Sequence, residues 1–331
     1  MAADAPLVTA VVPAHNAERT IDETLWSVRR QTYANLEILV VDDGSRDATA
    51  AIVERHAAAD PRVRLLRQPN GGVARARNAG IAASLGELVA PVDADDLWAP
   101  TKIARQVEAL LAGGDQVGLV YTWHAIIDDE SRVSKLSKRH LDEGRVVRRL
   151  CRGNLIGNGS AALMRKSAIV EAGGYDPSLH DANAQGCEDL LLYFRIAERH
   201  EFRLVPEHLT GYRLVRGAMS SDWAQMLASY WRVASEMKQK YPQYAAEIRG
   251  GDAEQMASLC WHAANAGKLE AATRLYVELL KRSVPHALLF GLRATAVALI
   301  RSVARPQGSA KAPFLAGAPT NNELATAKQE T

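Results

Sequence analysis

The stretch LVAPVDADDLW at residues 88–98 joins a short apolar run to three acids within four residues. The apolar run, Leu88 to Val92, has the length and composition of a buried β-strand. Asp93, Asp95 and Asp96 follow it directly, where their oxygens could surround a divalent cation that also touches phosphate. The same acids could instead cap the turn or helix that comes next, so this stretch alone leaves both interpretations open.

Strand and helix patterns alternate on both sides of this stretch. The predicted pairs are Leu7–Val12 with a helix that carries Ile21, Leu25 and Val28 on one face, Leu36–Val41 with Ala48–Ala58, Val63–Leu66 with Val73–Ser84, and Leu88–Val92 with Thr101–Leu111. Four such units predict an α/β domain with a mostly parallel central sheet that helices cover on both faces. Ligands of such sheets bind at the carboxyl ends of the strands, so the polar residues found there are the candidates for a functional site.

The composition excludes several classes of protein. The 331 residues carry 40 basic and 38 acidic side chains, and this near balance argues against a dedicated nucleic-acid binder. Cys151, Cys187 and Cys260 are widely spaced, which predicts neither a disulfide framework nor a zinc site and favours a reducing, cytoplasmic location. No secretory signal is recognisable at the N-terminus, and the apolar runs near the C-terminus are shorter than the ~20 residues that span a bilayer.

The pattern along the chain predicts three regions. Residues 1–221 are expected to form the α/β domain, residues 222–305 a helical region, and residues 306–331 a disordered tail. The apolar run at residues 288–300 has basic neighbours, so it either contacts a membrane surface or belongs to an ordinary helix bundle. The basic stretch at residues 132–152 either attracts an anionic ligand or forms a solvated face.

Polar residues also follow two further predicted strands, and each group could serve either a local turn or the binding of a nucleotide. The run DDGS at residues 42–45 is a common turn, yet one of its acids could accept hydrogen bonds from a nucleobase or ribose. The run NGG at residues 70–72 starts a helix, and its backbone amides could also approach a phosphate, with Arg77 adding charge one turn later.

Taken in order, these segments resemble the family 2 glycosyltransferases, which have the GT-A fold. The resemblance covers about residues 7–221. It is carried by VVPAHN at residues 11–16, VDDGS at 41–45, GVARARNAG at 72–80, DADDLW at 93–98, GGYD at 173–176, Glu188-Asp189 and Tyr212-Arg213. It implies a GT-A type nucleotide-diphospho-sugar transferase fold with a helical C-terminal appendage.

The resemblance also implies roles for single residues. The nucleotide pocket is assigned to Pro13, Ala14, Asn16, Asp43, Arg77 and Asp93. Asp95 matches the position that binds Mg²⁺ or Mn²⁺ bridging the two phosphates. Asp189, beside Glu188, matches the general base of inverting members, whereas without the resemblance two acids here would only begin a helix.

Two departures from the family pattern affect the expected contacts. Val215 occupies the place where many relatives carry a His, so Arg213 or Arg216 is expected to contact the phosphates instead. Leu191 stands where many relatives carry another acid, which leaves the acceptor contacts open. Neither departure removes the metal ligand or the base.

The expected function is transfer of a single sugar, with inversion, from a nucleoside diphosphate donor to a glycan or lipid-linked glycan acceptor. The expected donor nucleotide is UDP. The setting implied is bacterial polysaccharide or glycoconjugate synthesis, at the cytoplasmic face of the membrane or free in the cytoplasm, without nucleic-acid partners. A catalytically silent sugar-nucleotide or glycan-binding scaffold, and a sugar nucleotidyltransferase, are the alternatives. A dinucleotide-binding dehydrogenase is disfavoured because its G-x-G-x-x-A pattern, at residues 157–162, lies in the middle of the chain rather than in the first strand–helix unit.

Overall fold

The computed structural model describes residues 5–137, 139–214, 222–292 and 311–315. The alternation of strands and helices predicted for the N-terminal half is confirmed, with boundaries shifted by one or two residues. The elements here are β1 (Val8–Ala14), α1 (Ile21–Arg29), β2 (Leu36–Asp43), α2 (Thr49–Ala59), β3 (Val63–Gln68), α3 (Val73–Ala83), β4 (Leu88–Pro91), β5 (Leu97–Trp98) and α4 (Lys102–Gly113).

The next part of the chain adds strands to the same sheet. Its elements are β6 (Val117–Ile127), β7 (Val133–Leu136), α5 (Val147–Leu150), β8 (Ala162–Arg165), α6 (Lys166–Glu171), α7 (Ser178–Asp181), α8 (Glu188–Ala197) and β9 (Glu201–Arg213). The apolar run at residues 117–127 predicts a strand, and β6 has the same bounds. The sequence from Leu155 to Met164 predicts an extended segment, yet most of it is a loop and a short 3₁₀ turn that lead into β8.

The strands of the described residues form one mixed sheet in the order β3-β2-β1-β4-β8-β6-β9-β5, with β7 on β6. The strands β3, β2, β1 and β4 are parallel, as predicted. Beyond β4 the sheet is mixed: β8 runs antiparallel to both β4 and β6, while β6 and β9 are parallel. The carboxyl ends of β1, β2, β4, β6 and β9 therefore lie at the same edge.

Apolar side chains cover both faces of this sheet. Every residue of β1 and β2 is buried, as expected for central parallel strands covered on both sides. Helix α1 turns Ile21, Leu25 and Val28 inward, which confirms the face predicted from their spacing.

The described part of the C-terminal region, residues 222–292, is helical, as predicted, while residues 293–305 of that prediction lie outside the described residues. It contains α9 (Trp223–Lys240), α10 (Ala245–Asn265) and α11 (Leu269–Arg282), and residues 284–292 are helical as well. Tyr230 and Val233 of α9 pack in the same hydrophobic cluster as Phe194 of α8, so this region shares part of the core of the α/β domain. None of the helices formed by the described residues combines the length and apolarity needed to cross a membrane.

Five residues of the C-terminal tail have a defined place. Residues 311–315 lie against β7 and the turn before it, where the backbone of Arg132 bridges to that of Pro313. Leu315 is buried with Leu97 and Ile127. For these five residues the expectation of disorder is wrong, because an apolar side chain and backbone hydrogen bonds anchor them; the remainder of residues 306–331 lies outside the described residues.

Candidate active site

The centre of the site is Arg77, one turn into α3. Its Nη2 donates to Asp93 Oδ1 at 2.6 Å, and its Nη1 donates to Asp189 Oδ1 at 2.7 Å. The guanidinium is 4% exposed and lies 5.0 Å from the centre of the Tyr175 ring. A buried cation thus joins an acid that follows β4 to an acid on α8, although the two are far apart in sequence.

Asp189 lies at the N-terminus of α8 and is partly buried. Burial raises its pKa to about 6, and the neighbouring Arg77 opposes that rise. A carboxylate with a pKa close to neutral is suited to accept a proton at physiological pH. Its neighbour Glu188 differs, since both its oxygens accept from the amide of Gly186 at 2.9–3.0 Å and so close the turn before the helix.

The three acids after β4 have different surroundings. Asp96 is fully buried, and its oxygens accept from the Ser160 hydroxyl at 2.5 Å and from the Arg213 amide at 2.8 Å. Asp95 remains partly exposed, and burial together with the charge of Asp93 raises its pKa to about 6. Because the negative charges of Asp93 and Asp95 repel each other, a bound cation would stabilise both carboxylates.

Asp95 fits a metal that is shared with a substrate. Within residues 5–137, 139–214, 222–292 and 311–315, no three His, Cys, Asp or Glu side chains form a metal-binding group on their own. Mg²⁺ is commonly held by one or two carboxylates and completed by the phosphates of a substrate, and Asp95 with a diphosphate would supply such a set.

Arg213 does not have the position expected of a phosphate contact. It is 2% exposed, and its Nη2 donates to Glu23 at 2.8 Å while its Nε donates to the carbonyl oxygen of Asp95 at 2.7 Å. The third nitrogen, Nη1, donates to the carbonyl oxygen of Asp128. The guanidinium therefore braces the backbone beneath Asp95. Arg216, the other residue expected to contact phosphate, lies outside the described residues.

Four of the residues predicted to bind the nucleotide lie at or just after the ends of β1 and β2. Pro13 and Ala14 are the buried last residues of β1, and Asn16 follows with a left-handed backbone, φ 50°. The side chain of Asn16 accepts from the Arg46 amide, which ties this loop to the one after β2. Both oxygens of Asp43 accept from the loop before α3, at the amides of residues 71 and 72, so its carboxylate already anchors that loop.

The loop at residues 157–160 belongs to the site and was not recognised from the sequence. The Ser160 hydroxyl also accepts from the Asp93 amide at 3.0 Å. A Cβ added to Gly159 would lie 2.6 Å from Arg77 Nη2 and 3.1 Å from Asp189, so only glycine leaves room for this pair. The sequence signal is the run of small residues at 157–162, which also fits a dinucleotide-binding pattern and by itself predicts no contact with Arg77 or Asp189.

Most of the basic stretch at residues 132–152 is paired within the protein. Arg148 bonds to Glu247 and Arg152 to Glu254, which ties the α/β domain to α10. Arg139 differs, because it is exposed and lies over the ring of Trp123. All three cysteines are free and buried.

Known structures with the same fold bind nucleotide sugars. The mannosyltransferase PcManGT from Pyrobaculum calidifontis, solved with GDP-Man and Mn²⁺, aligns over 90% of this chain and 87% of its own, with a TM-score of 0.54 and 21% identity. S. aureus TarS residues 1–349, solved with UDP, aligns over 83% and 91% with a TM-score of 0.53 and 16% identity. The chain thus shares the GT-A type fold with these two proteins.

Sequence comparison gives the family. The profile of glycosyl transferase family 2 matches residues 9–173. The UDP-Glc:alpha-D-GlcNAc-diphosphoundecaprenol beta-1,3-glucosyltransferase WfgD of Escherichia coli is 37% identical over 130 residues, 39% of this chain and 50% of that protein. The succinoglycan biosynthesis protein ExoO of Rhizobium meliloti is 43% identical over 115 residues, 34% and 32% of the two chains. The matches span half or less of these relatives. The chain belongs to the family 2 glycosyltransferases, which confirms the resemblance.

Proposed function

We propose that the protein transfers one sugar from a nucleoside diphosphate donor, UDP-linked in the first instance, to a glycan or lipid-linked glycan acceptor in bacterial polysaccharide or glycoconjugate synthesis. The observation that carries the proposal is the Arg77 bridge between Asp93 and Asp189, beside the partly exposed Asp95. The names of WfgD and ExoO support the setting. The domain at residues 1–221 would carry out the transfer.

The residues divide the chemistry between them. Asp189 takes the proton of the acceptor hydroxyl while that oxygen attacks the anomeric carbon of the donor, and the bond from this carbon to the diphosphate breaks with inversion. Arg77 holds Asp189 in place through the hydrogen bond of 2.7 Å from its Nη1 to Asp189 Oδ1. Asp95 is the residue that would hold Mg²⁺ or Mn²⁺, whose charge stabilises the leaving group when bound.

The helical segment at residues 284–292 carries an exposed apolar face. Val284, Leu288 and Leu292 are 54%, 58% and 70% exposed and are spaced four residues apart, so they share one face of the helical segment at residues 284–292. Lys281 and Arg282 precede them. We infer that this face lies on the cytoplasmic surface of the membrane, where a lipid-linked acceptor would be found.

Calorimetry tests the donor site. Nucleoside diphosphates are titrated with and without Mn²⁺ into the wild type, Asp95→Ala and the control Asp115→Ala, whose acid is fully exposed away from the site. We expect Mn²⁺-dependent binding of UDP that only Asp95→Ala loses. Absence of nucleotide binding would sink the proposal, and binding without sugar transfer to any acceptor would favour a silent scaffold.

A further inference from the structure

A cluster of aromatic rings lies at the carboxyl ends of β6 and β9. It consists of Trp123, His124, His208 and Tyr212, all of them partly exposed. The ring centres of Trp123 and His208 are 5.2 Å apart, and those of His124 and Tyr212 are 5.9 Å apart. We call these four residues the aromatic cluster. Nothing in the proposed donor chemistry uses it.

The cluster is next to the proposed base. A Cβ added to Gly157 would lie 2.7 Å from the His124 ring, and one added to Gly159 would lie 3.1 Å from Asp189. The same short loop therefore touches the aromatic cluster at one end and the Arg77–Asp189 pair at the other. Gly157 and Gly159 are at most ~7 Å apart along the chain, so His124 of the aromatic cluster lies near Asp189.

A hydrogen bond to the backbone fixes the orientation of the Trp123 indole ring. Trp123 Nε1 donates to the carbonyl oxygen of His140 at 2.9 Å, so the polar edge of the indole is satisfied, while the ring packs against the core and keeps a partly exposed surface. Burial and the neighbouring His208 lower the pKa of His124 to about 4, so this ring is neutral at pH 7. Rigid rings with satisfied polar edges bind a ligand at a low cost in conformational entropy.

Arg139 places a positive charge beside the aromatic cluster. The guanidinium of Arg139 lies 5.7 Å from the centre of the Trp123 ring and is exposed. The nearest acid along the chain, Asp142, contacts Arg149 at 3.4 Å, so part of its charge is offset by another cation. Arg139 can therefore offer an anion one or two hydrogen bonds beside an apolar ring face.

We propose that the aromatic cluster and Arg139 form the acceptor subsite, in which a sugar ring stacks on Trp123 and Arg139 pairs with a phosphate group attached to that sugar. The inference rests on the proposed glycosyltransferase function and adds the acceptor class, a saccharide that carries a phosphate or diphosphate. It places the acceptor hydroxyl at the loop that backs Asp189. Arg139 acts on binding and not on the chemical step.

The test follows the indole resonances of the full-length protein labelled with ¹⁵N at tryptophan, in the presence of UDP and Mn²⁺. Trp123→Phe assigns the Trp123 signal. Trp231, which lies 4.3 Å from the Arg282 guanidinium in the helical region, is an internal control with a similar ring and cation. The probes are farnesyl-diphosphate-linked N-acetylglucosamine, the uncharged octyl N-acetylglucosaminide and inorganic pyrophosphate.

We expect both saccharides to shift the Trp123 signal and leave that of Trp231 unchanged. Trp123→Ala should weaken binding of both saccharides roughly tenfold, as for an aromatic residue at the centre of a binding site, and Trp123→Phe should restore most of it. Arg139→Ala should weaken only the diphosphate-linked saccharide, with the UDP dissociation constant within about twofold of the wild type.

An unmoved Trp123 signal with all three probes, or wild-type saccharide affinity in Trp123→Ala, would overturn the proposal. Equal losses of both saccharides in Arg139→Ala would overturn the phosphate contact. If saccharides bind at Trp123 while no nucleoside diphosphate binds anywhere, the subsite stands and the transferase function fails, so the two failures are distinguishable.

Discussion

Asp189 combines a buried position with a charged partner, and this combination defines its chemistry. Arg77 orients its carboxylate at 2.7 Å, and burial makes it a stronger base than an exposed aspartate. The first prediction is that Asp189→Asn lowers kcat by ~10²–10⁴-fold, the usual contribution of a positioned base. The amide keeps the shape of the side chain, so the UDP affinity measured by calorimetry should stay within about threefold. A variant that retains wild-type turnover would assign the proton transfer to another group.

Asp95, whose pKa is also about 6, contributes to the pH dependence of the wild type, and the contribution of the base comes from the Asp189 carboxyl group. Its pKa of about 6 in the folded protein means that the group is protonated, and unable to act as a base, at lower pH. We therefore expect kcat/KM to rise with pH up to about pH 6 and to level off above it, with an apparent pKa near 6. Initial rates at limiting donor, between pH 4.5 and pH 8, provide the measurement. A profile that is flat from pH 5 to pH 7 would contradict the assignment.

At the scale of elements, the loop before β8 is the part of the site most sensitive to volume. Gly159 is close enough to Arg77 and Asp189 that an added methyl group must displace their ion pair. We predict that Gly159→Ala reduces kcat by at least tenfold, because the base and its cation lose their mutual orientation. Transfer assays of Gly159→Ala and of the control Gly250→Ala measure the effect.

The control is chosen for its open surroundings. Gly250 lies in α10, and a Cβ there would meet nothing within 4 Å, so Gly250→Ala should keep full activity and gain up to ~1 kcal/mol of stability. If both variants lose activity equally, the close contact at Gly159 has no special role.

The parallel half of the sheet could be predicted from the sequence because its strands are short apolar runs that alternate with amphipathic helices. The long strand β9 could not, since its residues Glu201–Arg213 mix charged, polar and apolar side chains and include Pro206. Its partner β5 has only two residues, too few for any periodicity.

The position of the candidate site could be predicted from the sequence, but some of its contacts could not. Polar residues at the ends of β1, β2 and β4 indicated where it lies, and the family resemblance selected Asp189. The roles of Ser160 and Arg213 could not be predicted, because they arise from contacts 64 and 117 residues away along the chain, with Asp96 in both cases. Such pairings depend on the tertiary fold and leave no local pattern.

At the scale of the whole molecule, the exposed leucines after α11 predict a surface interaction. Leu288→Asp should lower the affinity for phosphatidylglycerol vesicles by roughly tenfold, because it places a charge on the apolar face that would enter the headgroup region. Leu85→Asp is the matched control, since Leu85 is 72% exposed on the α/β domain and the substitution adds the same charge. Vesicle co-sedimentation at low and high salt measures both. Equal binding of the two variants would show that this face does not contact the membrane.

The tail segment at residues 311–315 connects the surface to the site through a chain of contacts. Phe314 donates its amide to the Ser131 carbonyl oxygen at 2.9 Å, and the Ser131 hydroxyl accepts from Arg213, which in turn holds the backbone of Asp95. Leu315 is 7% exposed and supplies the apolar contact that keeps this segment in place.

The last prediction follows from that arrangement. Leu315→Ala should lower the free energy of unfolding by about 1–3 kcal/mol, less than in the centre of a core because the cluster is small and peripheral. It should also weaken Mn²⁺-dependent UDP binding a few-fold, since the backbone beneath Asp95 loses part of its support. Leu269→Ala, at a leucine 70% exposed on α11, should change neither quantity measurably. Thermal unfolding and calorimetry of the two variants separate the outcomes: a stability loss with unchanged UDP affinity would mean that the tail supports the fold without reaching the site.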